Sequence, residues 1–385
     1  MMHPFRDVAV LGVHNTPQAR RLPGHDSSSI ALQAALGALT DAGLAVNDVD
    51  GVVGQAAADA VLELGIGPCT RRPNGLGIPS ILDAAALVTT GQCRVVIVLA
   101  GGAGLLSDTA AAPWTTPPNE LVAGFGLFTA AEFALMARRH MVTFGTTEHQ
   151  LARAAAVVRN NGHQNPDAIY YGRGPFTPED ILASPLVAEP FHLLDCATTS
   201  EGGCALVLGH ADVARGNPRA TWILGCGSDS YGPAYTVAPV WDLTGRAGTG
   251  SAGWVGARAA QASFAMAGLS PSDVDVAEFY DPFSFEIIRQ LEAYGFCEPG
   301  QGGPMVESGA VGPGGSLPVT TDGGTMSFSH PGVAAQQFQR VVRGVQQIRG
   351  ECTSMQVAGA EVALCSNGGS GALFADVVLL GRERP

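Results

Sequence analysis

The chain has 385 residues, 46% hydrophobic and 14% charged, and a net charge of −13. That length holds two domains or one large α/β unit, and the low charged fraction with 51 glycines excludes a disordered chain. There is no basic run to grip nucleic acid, and all 21 basic residues are arginine, so no Schiff base can form on a lysine of the chain.

In chain order, "DVAVLGV" (7–13) predicts a buried strand. "SSSIALQAALGALTDAGL" (27–44) predicts a helix, with serine near its cap and glycine at its end. "DVDGVVG" (48–54) predicts a second strand. Residues 78–91 carry apolar side chains at helical spacing, and "RVVIVLAGG" (94–102) reads as a continuous buried strand. This alternation predicts an α/β fold with a mostly parallel sheet covered on both faces. Irregular stretches lie at 103–122, 227–252 and 298–324, and loops of that length inside a compact domain are often functional. Eight cysteines at irregular spacings, with no CxxC, argue against a zinc site and a disulfide framework. They read as reduced thiols of a cytoplasmic protein. No apolar run reaches membrane-spanning length, and "MMHPFRDVAVLG" does not read as a signal peptide.

The chain repeats itself. "DAGLAVNDVDGVV" (41–53) recurs as "MAGLSPSDVDVAE" (266–278), so that Gly43, Asp48 and Asp50 match Gly268, Asp273 and Asp275. "VVIVLAGG" (95–102) corresponds to "VALCSNGG" (362–369). Two matches in the same order indicate a duplicated α/β half. The join falls near 215–220, giving halves 1–217, with a loop insertion at about 103–195, and 218–385. "NGLGIPSILDAAALVTTG" (74–91) and "HPGVAAQQFQRVVRGVQQIRG" (330–350) then share one shape: polar residue, glycine, helix. A pseudo-two-fold would bring Asn74 and His330 together, each at a helix N-terminus. Two such ends favour an oxyanion or enolate.

On these motifs the sequence resembles the thiolase superfamily over nearly its whole length, nearest the sterol-carrier or lipid-transfer-type branch. "SPLVAEPFHLLDCATTSEGGCALVL" (184–208) and "EFYDPFSFEIIRQLEAYGFCEPGQGG" (278–303) look like that branch's central block and its "HDCFS" region. The resemblance implies a duplicated five-layer α/β/α/β/α fold. Gly75, Gly77, Gly91, Gly101 and Gly102 set Asn74 on the family's nucleophilic cysteine. "SHPG" implies that His330 binds the thioester oxygen, and "LCSNGGSG" that Cys365 exchanges the α-carbon proton. "FYDPF" sets Tyr280 on the family's Asn/His position. Asn74, Gly75, Asp281, Asn367 and Gly368 would line the substrate and oxyanion pocket. Three departures stand out: asparagine for the nucleophile, Asn367 where the family has glycine, and His330 where the related retro-aldolases have a second tyrosine.

With no thiol at position 74, the resemblance implies a carbon–carbon lyase. It would cleave a β-hydroxyacyl-CoA by retro-aldol chemistry, with Tyr280 as base and no acyl-enzyme. Coenzyme A would enter only as part of the substrate, with no bound cofactor and no metal. The alternatives are an acyltransferase or condensing enzyme using the same enolate, or a non-catalytic acyl-CoA or lipid-binding subunit. The resemblance also implies a homodimer joined to a DUF35-type protein, an OB-fold with a zinc ribbon, as a heterotetramer. From the residues alone, plainer roles stay open. Tyr280 could be a core tyrosine, His330 a cap, Cys365 a small buried hydrophobe, Asn74 a turn residue, and Asp281 a structural carboxylate.

Overall fold

The computed structural model describes residues 3–75, 77–104, 129–230, 254–369 and 374–385. Strand β1 (Val8–Asn15) leads to α1 (Ser27–Ala42). Asp26 starts this helix by accepting the Ser29 backbone N–H, and the Ser29 side chain answers back in a capping box. Gly43 ends it at φ 69°, the left-handed region that favours glycine. Next come β2 (Gly51–Gly54), α2 (Ala57–Glu63), β3 (Thr70–Arg72), α3 (Gly77–Thr89) and β4 (Val95–Gly102). The middle of the chain holds α4 (Thr129–Phe144), α5 (Glu148–Gln164), α6 (Pro178–Ala183), the short hairpin β5 (Leu186–Ala188) and β6 (Phe191–His192), then β7 (Gly202–His210) and α7 (Ala211–Ala214). The remaining elements are β8 (Thr221–Ser230), α8 (Ala257–Ala267), β9 (Val276–Glu278), α9 (Phe285–Ala293), α10 (Gly302–Glu307), α11 (Val333–Arg349), β10 (Val362–Gly369) and β11 (Phe374–Gly381).

The internal repeat is visible bond by bond. Gly268 ends α8 at φ 67°, as Gly43 ends α1. A 3₁₀ turn follows each, at Val46–Asp48 and Pro271–Asp273, and then β2 and β9. The Asp50 carboxylate accepts the backbone N–H groups of Arg94 and Val95 at the start of β4. Asp275 does the same for Glu361 and Val362 at the start of β10.

Among the described residues nine strands form one continuous run, β3-β2-β4-β7-β1-β8-β11-β10-β9, and β5 and β6 pair separately. The β1–β8 seam is two residue pairs long, Ala9 with Trp222 and Val10 with Thr221. Side chains alternate cleanly about it. In β4, Ile97 and Leu99 pack outward under α1 and α2, whereas Val96 and Val98 point inward. In β11, Val377 and Leu379 point outward to α8 and α9, whereas Val378 and Leu380 point inward. Both inward sets belong to one core that also holds Ile81 of α3 and Phe338 of α11. The order is therefore helix, sheet, helix, sheet, helix, with α3 and α11 as the middle layer.

Two expectations are corrected. The sheet is mixed rather than mostly parallel: β2 pairs parallel with β3 and β4, and β9 with β10, but β1, β7, β8 and β11 pair antiparallel. Only four residues link β10 to β11, too few for a crossover to a parallel neighbour. The 298–324 stretch is not irregular throughout either. It contains α10, and residues 317–330 are buried as an inner wall. Most of the stretches 103–122 and 227–252 lies outside the described residues.

Candidate active site

The N-terminal ends of α3 and α11 meet. The Gly77 N–H, first in α3, donates to Gln337 Oε1 of α11 at 2.9 Å. The same oxygen accepts from Asn367 Nδ2 of β10 at 3.1 Å, and Gln337 Nε2 donates to the Gly368 carbonyl at 3.0 Å. A methyl on Gly77 would overlap Gln337, so glycine sets how closely the helices approach. Asn74 and His330 each stand three residues before their helix, so each belongs to the turn that leads into one of these two helices.

His330 is buried. Its backbone N–H donates to Ser200 Oγ at 2.7 Å, and its carbonyl accepts from the Ser200 N–H. Ser200 Oγ pairs with Ser329 Oγ at 2.8 Å, and Ser329 Oγ donates to Gln18 Oε1 at 2.6 Å. This chain of small polar groups fixes the turn that carries the imidazole. Burial pushes the His330 imidazole down to about 4, against a smaller upward pull from Gln336. The ring is therefore neutral at physiological pH and offers one N–H.

Tyr280 follows β9 and is 7% exposed. Its backbone N–H donates to Ser366 Oγ of β10, and its carbonyl accepts from Gln290 Nε2 of α9 at 2.7 Å. Gln290 Oε1 in turn accepts from Ser366 Oγ at 2.5 Å. On the phenol, the oxygen lies 3.4 Å from Gln336 Nε2 of α11. The structure thus brings Tyr280 and His330 to one side chain, Gln336.

The other sequence candidates are placed differently. The Asn74 side chain donates to Asp83 Oδ2 at 2.9 Å, and its carbonyl accepts from Ser80 Oγ. Gly75 is exposed, and a Cβ there would meet nothing within 4 Å. Asp281 is not a pocket residue. Its carboxylate is fully buried and accepts the backbone N–H groups of Thr325 (2.8 Å) and Met326 (3.1 Å), bracing the turn Gly324–Phe328 that leads to His330. Burial pushes that carboxyl up to about 7. Asn367 and Gly368 belong to the Gln337 junction. Cys365 lies two residues deeper in β10, level with Glu278 rather than Tyr280. Its sulfur packs on Gly344 of α11, eight residues beyond Gln336 and about 12 Å along the helix. Burial raises this thiol well above its ordinary value. The structure separates it from Tyr280 and His330.

Sequence reasoning missed Gln336 and Gln337. The available signal was a pair of glutamines in the first turns of a helix whose neighbours, Ala334, Ala335 and Phe338, are core residues. Buried amides need partners: Gln337 finds its partners in Gly77, Asn367 and Gly368, and Gln336 Nε2 meets the Tyr280 hydroxyl oxygen. Among the described residues no cluster of His, Cys, Asp and Glu could hold a metal ion, and no helix is long and apolar enough to cross a membrane.

Comparison with known proteins fits this geometry. Residues 253–382 match the thiolase C-terminal domain-like family. A steroid side-chain-cleaving aldolase of Thermomonospora curvata is 32% identical over 87% of this chain and 90% of its own. The 17-hydroxy-3-oxo-4-pregnene-20-carboxyl-CoA lyase of Mycobacterium tuberculosis is 30% identical over 94% and 96%. An acetyl-CoA acetyltransferase of Methanothermobacter thermautotrophicus is 31% identical over 95% and 97%. Among solved structures, the Ltp2-ChsH2(DUF35) aldolase superposes with a TM-score of 0.84 at 29% identity, covering 98% of this chain and 99% of that one. Human mitochondrial 3-ketoacyl-CoA thiolase shares the fold, with a TM-score of 0.70 at 15% identity. The chain belongs to the thiolase superfamily. Within it, the chain is a carbon–carbon lyase of the thiolase-like retro-aldolase branch.

Proposed function

We propose that the enzyme cleaves a β-hydroxyacyl-CoA thioester into a carbonyl compound and a shortened acyl-CoA, with no covalent intermediate. The observation that carries this reading is the meeting of Tyr280 and neutral His330 at Gln336, beside a turn whose leading residue is Asn74 and not a thiol. Tyr280, as phenolate, takes the β-hydroxyl proton. The Cα–Cβ bond breaks, the β-carbon becomes the carbonyl, and the bonding pair moves onto the thioester as an enolate. His330 holds the enolate oxygen through its N–H, with the dipoles of the two helix N-termini adding to the field. Neutral histidine suits this role, because it polarises the oxygen without protonating it. With Cys365 set two turns down α11, Tyr280 itself returns the proton to the α-carbon and is regenerated. Coenzyme A takes part only as the substrate's thioester, and no resident cofactor or metal is needed.

Relatives named for steroid acyl-CoA cleavage make a polycyclic β-hydroxyacyl-CoA the first substrate to offer. The aldolase solved as Ltp2-ChsH2(DUF35) supports a DUF35-type partner here as well. The functional unit would then be two copies of each chain, built on a homodimer of this one in the cytoplasm. Expressing the chain alone and with a DUF35-type protein, then following cleavage and particle size by light scattering, tests both parts. The reading expects a larger complex and faster cleavage with the partner. No cleavage of any β-hydroxyacyl-CoA in either state would contradict it. The acetyltransferase relative supports the enolate acting in the forward, condensing direction as a second reading. Product formation from acyl-CoA plus a ketone or aldehyde, with no cleavage, would favour it.

A further inference from the structure

Gln336 is 3% exposed and sits in the first turn of α11. Its Nε2 faces the Tyr280 hydroxyl oxygen at 3.4 Å, and its carboxamide also lies against the His330 imidazole. The turn that carries it cannot rotate freely, because the next residue, Gln337, is bonded to Gly77, Asn367 and Gly368. Neighbouring ionisable groups are committed elsewhere: Asp281 to Thr325 and Met326, Glu278 to Thr321, and Cys365 to the Gly344 side of the helix.

We infer that Gln336 is a positioning residue of the cleavage reaction, holding the Tyr280 oxygen in register with His330 so that proton removal and binding of the thioester oxygen act as one unit. This rests on the lyase reading above. An amide N–H can only donate. A phenol oxygen that accepts from it is held in one place, against which a substrate hydroxyl can be presented. The bond also changes with the reaction. At 3.4 Å to a neutral hydroxyl it is weak. To a charged oxygen it becomes charge-assisted, shorter and roughly twice as strong. Catalytic hydrogen bonds are often long before substrate arrives and tighten in the reacting complex. By favouring the phenolate that must form before Tyr280 can act as base, the bond raises the active fraction of the enzyme, and so kcat, and leaves KM nearly alone.

The test is a double-mutant cycle on the complete enzyme with its partner present. Gln336→Met removes the donor at similar volume, and Gln336→Glu keeps the shape but faces the phenol oxygen with an acceptor. Each is measured in the wild-type and Tyr280→Phe backgrounds for kcat and KM of β-hydroxyacyl-CoA cleavage, with Tm as a check on folding. In the wild-type background Gln336→Met should lower kcat about 10- to 100-fold, as for loss of a hydrogen bond to a charged group, with KM changed less than about threefold. Gln336→Glu should lose more. In the Tyr280→Phe background, where no phenol oxygen remains, Gln336→Met should cost less than about twofold. Equal losses in both backgrounds, or a loss confined to KM, would overturn the positioning role while leaving the lyase reading intact. Wild-type kcat in Tyr280→Phe would overturn both. If Gln336→Met fails to fold, Gln336→Asn, which keeps the amide but shortens its reach, carries the same comparison.

Discussion

A neutral histidine is what distinguishes this site at the level of single residues, and its titration can be read directly. Burial holds the folded His330 value at about 4, below the ordinary 6.5. The unfolded state therefore binds more protons between these values, and stability falls as pH drops from 6.5 towards 4. Asp281 works in the opposite sense. Its folded value is raised to about 7, so its contribution is present below the ordinary carboxylate value and is lost as pH rises through 7. Comparing wild type with His330→Asn isolates the histidine: the stability advantage of wild type should shrink from pH 6.5 to pH 4 in denaturant titrations. A difference that stays constant over that window would show that His330 titrates in the fold as it does in the unfolded chain. Cys365 gives a second residue-scale expectation. Cys365→Ala removes a buried sulfur and should cost stability by about 1–3 kcal/mol, yet leave cleavage within about threefold, below the effect of losing a proton-transfer group. A loss of about 100-fold or more would return Cys365 to the proton pathway.

Helix α11 is the element on which the site depends, and its buried charges anchor it. Arg340 is fully buried and grips both oxygens of Asp322, at 2.6 and 2.9 Å. Arg343 donates to Thr321 Oγ1 at 2.8 Å and to the Thr321 carbonyl, while Thr321 also serves Glu278. Together these tie α11 to the 320–328 segment that Asp281 braces. Arg340→Met would leave Asp322 unpaired in the interior and should destabilise by about 3–5 kcal/mol in chemical denaturation, as breaking a buried pair does. A change below about 1 kcal/mol would mean water reaches this network.

How much of this was legible in the sequence varies by element. Asp50 and Asp275 were readable, because each performs the same job at the same offset, holding the start of the neighbouring strand, β4 or β10. The end of α1 at Gly43 was readable for the same reason, whereas its N-cap is Asp26, one residue before the serines. The mixed sheet was not, since pairing direction depends on which strand neighbours which. Cys365 showed its motif but not its depth, because the register of β10 against β9 is a tertiary fact. The buried run after residue 317 looked like a loop because Gly and Pro mark turns whether or not a helix later covers them. Gln336 and Gln337 were visible as letters, but nothing local told their buried positions from a solvated face.

In the molecule as a whole, duplication creates the site. Two copies of one α/β half fold about the β1–β8 seam and enclose α3 and α11 as a shared middle layer. The active centre we propose lies at the N-terminal ends of these two helices, one turn carrying asparagine and the other histidine. A thiolase-like frame without the nucleophile keeps its enolate-stabilising ends and loses acyl transfer, and that is the central claim. The most direct measurement is a single-turnover reaction of the enzyme, with the proposed DUF35-type protein added, on a β-hydroxyacyl-CoA, with products identified by mass and the intact chain weighed at each time point. The expected result is equal amounts of the carbonyl compound and the shortened acyl-CoA, no mass added to the chain at any time, and a rate lower by about 10²–10⁴-fold in Tyr280→Phe. An acyl adduct on any cysteine that forms and decays at the rate of turnover, or cleavage that proceeds unchanged in Tyr280→Phe, would contradict it.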